Sequence, residues 1–392
     1  MKLNQGLHLT YCTNVHRGES WPETLAALER HTLAVRDKVC LGKPFGIGLR
    51  LSERAAIELN ERAERLHFQR WLEKNSCYVF TINGFPYGQF HGTRVKEQVY
   101  RPDWTSPERV AYTNLLFNLL AEMVPPGIAG SVSTLPGSFK EFYPSPEALK
   151  TIRQNLWLTV EHIARVGEKT GRQLHLGLEP EPLCLLESSA ETIHLFEHFR
   201  AEHPRDERLA AHLGVNYDTC HFAVGFEEPQ NALPCLVNQG IKISKIHLSS
   251  ALQVRPTLEA CEALKDFSDD VYLHQVVERD ELGNRKIYRD LPDALGIAAR
   301  RLATDEWPLP EWRIHFHVPL HAPAAPPFEN TNDHLLGVLD LLQIEPQLCS
   351  HLEMETYTWE VLPPELKSHD VAVQLAQEYE WTLGQLKTRG LA

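Results

Sequence analysis

Short apolar runs alternate with longer amphipathic stretches along most of this 392-residue chain, and this alternation constrains its fold more than any other feature. Apolar runs rich in β-branched residues are typical of buried strands, and amphipathic stretches between them are typical of covering helices. We expect strands at residues 7–11, 45–51, 77–83, 129–134, 174–179, 213–218, 243–249 and 351–356. The main helices are expected at about residues 22–39, after an N-cap at Ser52, and at 146–168, 190–199, 231–238 and 364–386.

Strands that alternate with helices predict a parallel sheet joined by helical crossovers. Eight such units favour an α/β fold of the TIM-barrel type, a closed (β/α)8 barrel, and a doubly wound open sheet is the alternative architecture. The chain contains no linker rich in Gly, Ser or Pro. We therefore expect residues 1–392 to form a single TIM-barrel domain.

Two segments interrupt the alternation. Residues 84–105 form a long loop after the third strand, and residues 250–320 form an insertion after the seventh strand, with strand-like pieces at 272–278 and 312–318. Long loops in compact domains are often lids or binding loops, and the loops that follow barrel strands build the active-site face. Both segments should therefore lie on that face.

The overall composition excludes several classes of partner. Acidic residues outnumber Lys and Arg by 52 to 39, which gives a net charge of −13 and disfavours binding to nucleic acid. The chain has no apolar run long enough to cross a membrane and no secretory signal at its start. Its eight cysteines are spread out without a C-x-x-C pair, as in reduced cytosolic proteins. We expect a cytoplasmic protein with a small-molecule substrate, and the sequence leaves the oligomeric state open.

Charged residues end four successive predicted strands. Glu179 ends the fifth strand, Asp218 ends the sixth and is followed by His221, and His247 lies near the end of the seventh. Glu353 and Glu355 lie on the same side of the eighth strand, because side chains alternate along a strand. Buried carboxylates and imidazoles are costly unless they are paired, hydrogen-bonded or bound to a metal.

Each of these residues taken alone has an ordinary structural interpretation. A Glu at a strand end often anchors a loop, and a single buried His is often only hydrogen-bonded. Four such residues on neighbouring strands instead favour a divalent metal site. A shell of mixed carboxylate and imidazole ligands suits Mn²⁺, Zn²⁺, Co²⁺ or Fe²⁺.

These motifs resemble the xylose-isomerase-like barrel superfamily, which contains ketose epimerases, inosose isomerases and dehydratases, and metal-dependent apurinic endonucleases. The resemblance is carried by residues 178–180 (LEP), 218–221 (DTCH), 247 (H) and 355–356 (ET). It implies one divalent ion held by a Glu, Asp, His, Glu set, which in this sequence is Glu179, Asp218, His247 and Glu355. Glu355 is preferred over Glu353 because it lies nearer the end of its strand, and the choice between them stays open.

Four longer segments resemble the EboE-type metabolite traffic proteins, which are themselves described as xylose-isomerase-like. They are residues 11–16 (YCTNVH), 80–96 (FTINGFPYGQFHGTRVK), 178–182 (LEPEP) and 355–359 (ETYTW). The similarity runs nearly from end to end. It implies the same barrel and a place in a metabolite pathway, and it does not name a reaction.

The sequence departs from the apurinic endonucleases, which use histidines on the third and fourth strands to hold further zinc ions. The corresponding strand ends, residues 82–84 (ING) and 134–138 (TLPGS), have no histidine. The insertion does carry His315 and His317, which resemble a pair that helps to bind an additional zinc in those enzymes. They are candidate ligands of a second metal, and a locally hydrogen-bonded pair is the alternative.

We predict a metal-dependent isomerase or epimerase that acts on a sugar, sugar phosphate or cyclitol. The metal would polarise a carbonyl group, Glu179 and Glu355 would each move a proton at the adjacent carbon, and His221 would contact a substrate hydroxyl or support Asp218. Further substrate contacts are expected from two sets of residues. They are the loop residues His91, Arg94 and Lys96, as a phosphate or carboxylate site, and the strand-end residues Asn83, Glu181 and Glu353.

Two other functions are compatible with the same residues. A metal-dependent phosphoesterase related to the apurinic endonucleases would need two or three ions. A non-catalytic metabolite-binding protein would use the pocket without turnover, and it would have no need for two bases beside one carbon.

Overall fold

The computed structural model describes residues 1–142, 145–303, 309–323 and 325–392. Its first seven strands alternate with helices and are fully or almost fully buried. They are β1 (His8–Tyr11), β2 (Phe45–Arg50), β3 (Cys77–Asn83), β4 (Gly130–Thr134), β5 (Leu174–Leu178), β6 (Leu213–Asp218) and β7 (Lys242–Leu248). The insertion extends past the predicted residue 320, because its strands are β8 (Ala251–Val254), β9 (Val276–Arg279), β10 (Arg285–Tyr288), β11 (Glu311–His317) and β12 (Phe328–Asn330); β13 (His351–Met354) follows it.

Eight strands form a parallel sheet in the order β1-β13-β7-β6-β5-β4-β3-β2. The two end strands meet through a parallel bridge between Cys12 and Gly48. The Thr10 hydroxyl completes this seam, since it donates to the carbonyl oxygen of Gly46 (2.9 Å) and accepts from the Gly48 amide (2.8 Å). The sheet is therefore a nearly closed barrel, which confirms the predicted (β/α)8 fold and excludes the open-sheet alternative.

The helices surround this barrel and begin at side-chain caps that the sequence supplies. Ser52 accepts a hydrogen bond from the Ala55 amide, as predicted, and Ser20 and Glu23 form a reciprocal capping box. The first seven helices are α1 (Trp21–Ala27), α2 (Leu33–Val39), α3 (Glu53–Leu59), α4 (Arg62–Lys74), α5 (Pro107–Met123), α6 (Pro146–Thr170) and α7 (Ser189–Glu202). The others are α8 (Arg208–His212), α9 (Thr219–Val224), α10 (Pro229–Asn238), α11 (Leu258–Ala263), α12 (Leu291–Ala303), α13 (Asn332–Ile344) and α14 (Val371–Thr388).

The insertion after β7 folds into a second sheet. Its five strands are antiparallel and lie in the order β10-β9-β11-β8-β12. Trp312 and Ile314 of β11 are fully buried in a hydrophobic cluster separate from that of the barrel. Residues 304–308 of the insertion lie outside the described part of the chain. The expectation of a single domain stays a prediction.

Several helix boundaries differ from the sequence-based expectation. The last helix begins at Val371 rather than near residue 364, because residues 357–361 form a 3-10 turn and Asp370 provides the N-cap. A π-helical turn at Leu28–Thr32 divides the first expected helix into α1 and α2. The 17-residue helix α5 was not predicted. No helix in the described part of the chain is long and apolar enough to cross a bilayer.

The barrel interior contains a fully buried ion pair. Lys245 Nζ on β7 lies 2.5 Å from Glu353 Oε2 on β13, and neither side chain is exposed to solvent. Gly48 on β2 leaves the room that Glu353 occupies, because a Cβ atom at Gly48 would overlap Glu353 Oε1 and lie 2.7 Å from the Tyr11 carbonyl oxygen. The glycine is therefore required by the neighbouring carboxylate.

We expect Gly48→Ala to destabilise the protein by about 1–3 kcal/mol, the usual cost of overpacking a filled interior. The matched control is Gly384→Ala in α14, where nothing lies within 4 Å of the added Cβ atom. That change should stabilise by about 0.5–1 kcal/mol, because alanine favours the helix. Denaturant unfolding measures both, and equal effects of the two substitutions would contradict the role given to Gly48.

Glu378 on α14 is a buried carboxyl outside the barrel. It accepts a hydrogen bond from the Thr356 hydroxyl (2.8 Å), and burial raises its pKa to about 8. In the unfolded chain a glutamate ionises near pH ~4.3. Folding therefore takes up a proton between these two values, and stability falls as the pH rises through this window.

Glu378→Gln should remove this pH dependence, because glutamine resembles the protonated carboxyl. Relative to this variant, the wild type should lose about 1.4 kcal/mol per pH unit between pH ~5 and ~8. Urea unfolding at pH 5.5 and pH 7.5 measures the difference. The control Glu380→Gln changes an exposed residue of the same helix and should give the same difference at both pH values. A constant difference for Glu378→Gln would show that the buried carboxyl is already ionised.

Candidate metal centre and adjoining cavity

The carboxyl ends of four adjacent strands bring the predicted ligands together. Glu179 directly follows β5, Asp218 is the last residue of β6, His247 lies on β7 and Glu355 directly follows β13. One candidate ligand atom from each of them lies within 4.8 Å of the others, and all four residues are buried. We call this set the first cluster.

His247 is at the centre of the first cluster. Its Nδ1 atom lies 3.1 Å from Glu179 Oε1, 3.1 Å from Glu355 Oε2 and 3.4 Å from Asp218 Oδ2. Its Nε2 atom faces the other way and lies 2.9 Å from Glu353 Oε2. Glu353 is therefore on the far side of the imidazole from the other three carboxylates.

Neighbouring donors fix the orientation of the three carboxylates. Asp218 Oδ1 accepts hydrogen bonds from the Cys220 amide (2.7 Å), the His221 amide (3.1 Å) and the Ser249 hydroxyl (2.6 Å). The Asn216 amide donates to Glu179 Oε2 (2.8 Å). These bonds leave the other oxygen of each carboxylate directed toward His247.

Glu355 is held in the same way by two amides. Asn14, which follows β1, and Asn83, the last residue of β3, both donate to Glu355 Oε1, at 2.8 Å and 3.0 Å. Asn83 was predicted to contact substrate. In the structure its amide positions Glu355, although its side chain also lines the cavity described below.

The electrostatics of the first cluster depend on mutual compensation of buried charges. Burial disfavours the charged form of His247, but the Glu355 and Glu179 carboxylates outweigh it and hold its pKa well above the usual value. Burial likewise opposes ionisation of Asp218, yet His221, His247 and His317 together keep its pKa well below the usual value. The carboxylates therefore require positive charge close by.

The donor set fits a divalent cation. An imidazole nitrogen carries at most one hydrogen, so His247 Nδ1 cannot satisfy three carboxylate oxygens at once. Asp218 Oδ2 is buried and accepts no hydrogen bond from the described residues. Oxygen and imidazole donors that converge in this way are typical ligands of Mn²⁺, Zn²⁺, Co²⁺ and Fe²⁺.

Lys245 and Glu353 form a layer beneath the first cluster. The Lys245 ammonium and His247 outweigh the effect of burial and lower the pKa of Glu353 to about 2. Glu353 can therefore accept the Nε2 hydrogen of His247, which leaves Nδ1 as the nitrogen that faces the other carboxylates and would bind a cation. Carboxylates commonly orient metal-binding histidines in this way. Glu353, predicted as a substrate contact, is fully buried behind His247 and does not line the cavity described below, and this role stays a prediction.

A second group of histidines lies beside Asp218. His221 Nδ1 donates to the Pro180 carbonyl oxygen (3.0 Å), His315 Nδ1 to Gln275 Oε1 (2.8 Å) and His317 Nδ1 to the Glu355 carbonyl oxygen (2.8 Å). Each of these acceptors places a ring hydrogen on Nδ1, so in the neutral form of each ring Nε2 carries the lone pair. We call these three residues the histidine cluster.

The Nε2 atoms of the histidine cluster face one another. Those of His221 and His315 are 3.1 Å apart, and that of His317 is buried without a hydrogen-bond partner among the described residues. Two candidate metal groups share His317: one adds Asp218 and His221, and the other adds Cys220 and His315. Facing lone pairs repel each other unless a proton or a cation lies between them, so this cluster also requires positive charge.

A cavity adjoins both clusters on the barrel face where the strands end. Its volume is about 530 Å³, part of which is open to solvent. Its polar wall includes Glu179, Glu181, His221, His315 and Glu355. The Tyr100 hydroxyl donates to Glu181 Oε1 (2.6 Å), and burial raises the pKa of Glu181 to about 7.

Of the three loop residues predicted to bind an anion, only Lys96 lines the cavity, and the anion site stays a prediction. Arg94 is exposed and is absent from the cavity wall. The Lys96 ammonium donates to the carbonyl oxygens of Asp269 and Tyr272 and to Asp290. His91 bonds to the Asn14 carbonyl oxygen through Nε2 and to the Tyr272 hydroxyl through Nδ1. The polar groups of Lys96 and His91 are therefore used in hydrogen bonds within the protein.

Three residues that position the site were not singled out from the sequence. Lys245 lies two residues before His247 on the same strand. Because side chains alternate along a strand, this spacing could have predicted that both face the barrel interior. Asn14 lies in the YCTNVH segment but had no assigned role. Gln275 donates to the Tyr100 hydroxyl (3.0 Å) and accepts from His315, and no feature of the local sequence marks it.

No protein-family model matches the sequence, and no curated protein sequence matches it. Among solved structures the chain is similar to L-ribulose 3-epimerase, with a TM-score of 0.50, 12% identity and coverage of 99% of this chain and 96% of that one. It is also similar to the probable 3-DHS dehydratase AsbF from Bacillus anthracis (0.49, 14%, 98% and 99%). A third similar structure is a D-tagatose 3-epimerase-like protein (0.49, 12%, 97% and 97%).

The chain has the xylose-isomerase-like TIM-barrel fold. The superposition on L-ribulose 3-epimerase extends over nearly the full length of both chains. At 12% identity this similarity establishes the fold, and the chemistry has to be inferred from the site itself.

Proposed function

We propose that this protein is a divalent-metal-dependent enzyme of the isomerase or epimerase type that acts on a sugar or cyclitol. One observation carries the proposal: Glu179 and Glu355 belong both to the first cluster and to the wall of the cavity. A ligand in the cavity would meet two carboxylates and a bound cation together. L-ribulose 3-epimerase, with the same fold, is named for this class of reaction.

The residues of the site have separate roles in this proposal. Glu179, Asp218, His247 and Glu355 would hold the cation, which when bound polarises a substrate carbonyl group. Glu179 and Glu355 would exchange a proton with the adjacent carbon. Glu181 is a third acid or base, and its pKa of about 7 suits proton transfer at neutral pH. His221 would hold a substrate hydroxyl or support Asp218.

The pathway context is proposed from the resemblance to the EboE-type metabolite traffic proteins. Their similarity to this sequence supports a role in the biosynthesis or trafficking of a small metabolite. A non-catalytic binding protein could use the same cavity. The near-neutral Glu181 favours the enzyme, because a cavity that only captures a ligand gains nothing from a proton donor at that position.

A second candidate function is a metal-dependent phosphoesterase. The histidine cluster favours it, since it offers three lone-pair nitrogens next to Asp218 and so supports a second cation beside the first. Paired cations commonly stabilise the attacking and leaving oxygens of phosphoryl transfer. We propose His315 and His317 as ligands of this second ion in either function.

Metal binding can be tested site by site. Apoprotein titrated with Co²⁺ should take up two ions per chain. Elemental analysis and visible absorption measure this uptake. Glu179→Gln should weaken the first ion, and His317→Gln should remove the second while the first remains. Asp218→Asn should weaken both, because Asp218 belongs to both groups.

Glu378→Gln is the matched control for this titration. It changes another fully buried carboxyl of the same protein and should leave both ions in place. If the wild type takes up only one ion, and His317→Gln leaves that uptake unchanged, the second site is refuted. If the wild type binds no Co²⁺, the metal-dependent mechanism is wrong.

Catalysis is tested by deuterium exchange. Metal-loaded protein in D₂O should incorporate deuterium at the carbon next to the carbonyl of a ketose or inosose, with L-ribulose, D-fructose and scyllo-inosose as probes and NMR as the readout. Glu181→Gln should slow exchange by about 10²–10⁴-fold, the usual contribution of a general acid or base, and should leave Co²⁺ binding unchanged. If the probes bind but do not exchange hydrogen for deuterium, the alternative of a non-catalytic binding protein is favoured. If the protein with two bound ions hydrolyses a phosphoester, the phosphoesterase is favoured.

A further inference from the structure

The cavity beside the first cluster has two chemically different walls. One wall presents carboxylate, amide and imidazole groups, as described above. The other is apolar and includes Phe85, Phe90, Val99, Leu273 and Tyr357. A ligand that fills the cavity therefore contacts both hydroxyl-binding groups and hydrocarbon.

The apolar wall is a packed structure. Phe90, Tyr272 and Tyr357 come from the loop after β3, the insertion and the segment after β13, and their ring centroids are 5.1–5.5 Å apart. The backbone amides of Val95 and Lys96 both donate to the Val271 carbonyl oxygen, at 2.9 Å and 2.8 Å. Two separate connections thus join over the cavity and fix the position of its apolar side.

The charges around the cavity disfavour an anionic substrate. Lys96 is the only lysine or arginine among the described residues of the wall. Its ammonium has three hydrogens, and it makes three hydrogen bonds, at 2.9, 2.7 and 2.7 Å, to two carbonyl oxygens and the Asp290 carboxylate. Three carboxylates, those of Glu179, Glu181 and Glu355, share the same wall.

A single cation in the first cluster would not reverse this sign, and a second cation at the histidine cluster would about balance the carboxylates. A divalent ion in the first cluster would lie among the carboxylates of Glu179, Asp218 and Glu355, whose combined charge exceeds its own. A phosphate placed against the apolar part of the lining would face Phe90, Val99 and Leu273. Desolvation of a phosphate against hydrocarbon, without a paired cation, is unfavourable.

We propose that the substrate is an uncharged polyol that carries an apolar substituent, such as an aryl or alkyl group. The polyol end lies at Glu179, Glu181 and Glu355, and the substituent lies against Phe90, Val99 and Leu273. This assignment rests on the proposed function, which places the reacting carbon at the carboxylates. It replaces the phosphate-binding role that the sequence predicted for His91, Arg94 and Lys96.

Binding of three probes tests the proposal by calorimetry on the full-length protein loaded with Mn²⁺. The probes are methyl β-D-glucoside, phenyl β-D-glucoside and glucose 6-phosphate. We expect the phenyl glucoside to bind at least tenfold more tightly than the methyl glucoside, because the ring is buried against the apolar wall. Glucose 6-phosphate should bind at least tenfold more weakly than the methyl glucoside.

One pair of variants assigns this preference to the cavity. Val99→Ser adds a hydroxyl to the apolar wall and should reduce the phenyl-to-methyl affinity ratio at least threefold, with little change for the methyl glucoside. Val110→Ser is the matched control, since Val110 is also half-buried but lies on α5 outside the cavity wall. Its affinity ratio should equal that of the wild type.

Three outcomes overturn the proposal. The two glucosides bind with equal affinity, or glucose 6-phosphate binds more tightly than the methyl glucoside. The third is that neither glucoside binds at concentrations on the order of 10 mM, about the weakest binding that calorimetry can follow. The proposed function fails separately. If the protein prefers the phenyl glucoside but neither takes up Co²⁺ nor catalyses exchange, the proposed ligand class is supported and the proposed enzymatic function is refuted. A protein that catalyses exchange on free sugars but does not prefer the phenyl glucoside would support the proposed enzyme and refute the proposed ligand class.

Discussion

The imidazole of His247 is the contact on which the rest of the site depends. Its Nδ1 side meets carboxylates from the ends of β5, β6 and β13, and its Nε2 side meets Glu353. Three charged residues on other strands would repel one another in a low-dielectric interior if nothing positive lay between them. A buried histidine, a cation or both must therefore be present for these strand ends to remain together.

The layer beneath His247 explains why the barrel accepts this concentration of charge. Lys245 neutralises Glu353, and Gly48 on β2, which is separated from β13 by β1, leaves space for that carboxylate. A buried ion pair contributes little net stability, because desolvation offsets most of the attraction. Its effect here is orientation, since Glu353 fixes which nitrogen of His247 faces the other carboxylates. The buried pair of Lys245 and Glu353 thus adds little stability, but it fixes the orientation of His247 in the site above it.

The sequence predicted the barrel and the first cluster because both depend on local patterns. A charged residue at the end of an apolar strand is visible in one segment, as for Glu179 and Asp218. The choice between Glu353 and Glu355 was harder, since both lie on one side of β13 and differ only in depth along it. Lys96 could not be interpreted locally, because its partner Asp290 lies 194 residues further along the chain. The basic loop therefore suggested an anion site where the folded chain has an internal ion pair.

The barrel and the insertion divide the work of the site between them. All four residues of the first cluster come from barrel strand ends, where the fold places converging side chains whatever the loops contain. His315 and His317 come from β11 of the insertion, and Tyr272, Leu273 and Gln275 come from the same segment. The insertion thus supplies much of the histidine cluster and of the apolar wall. In the proposed function these features would hold a second ion and contact the apolar part of the ligand, so the insertion, more than the barrel, would determine which substrate is accepted.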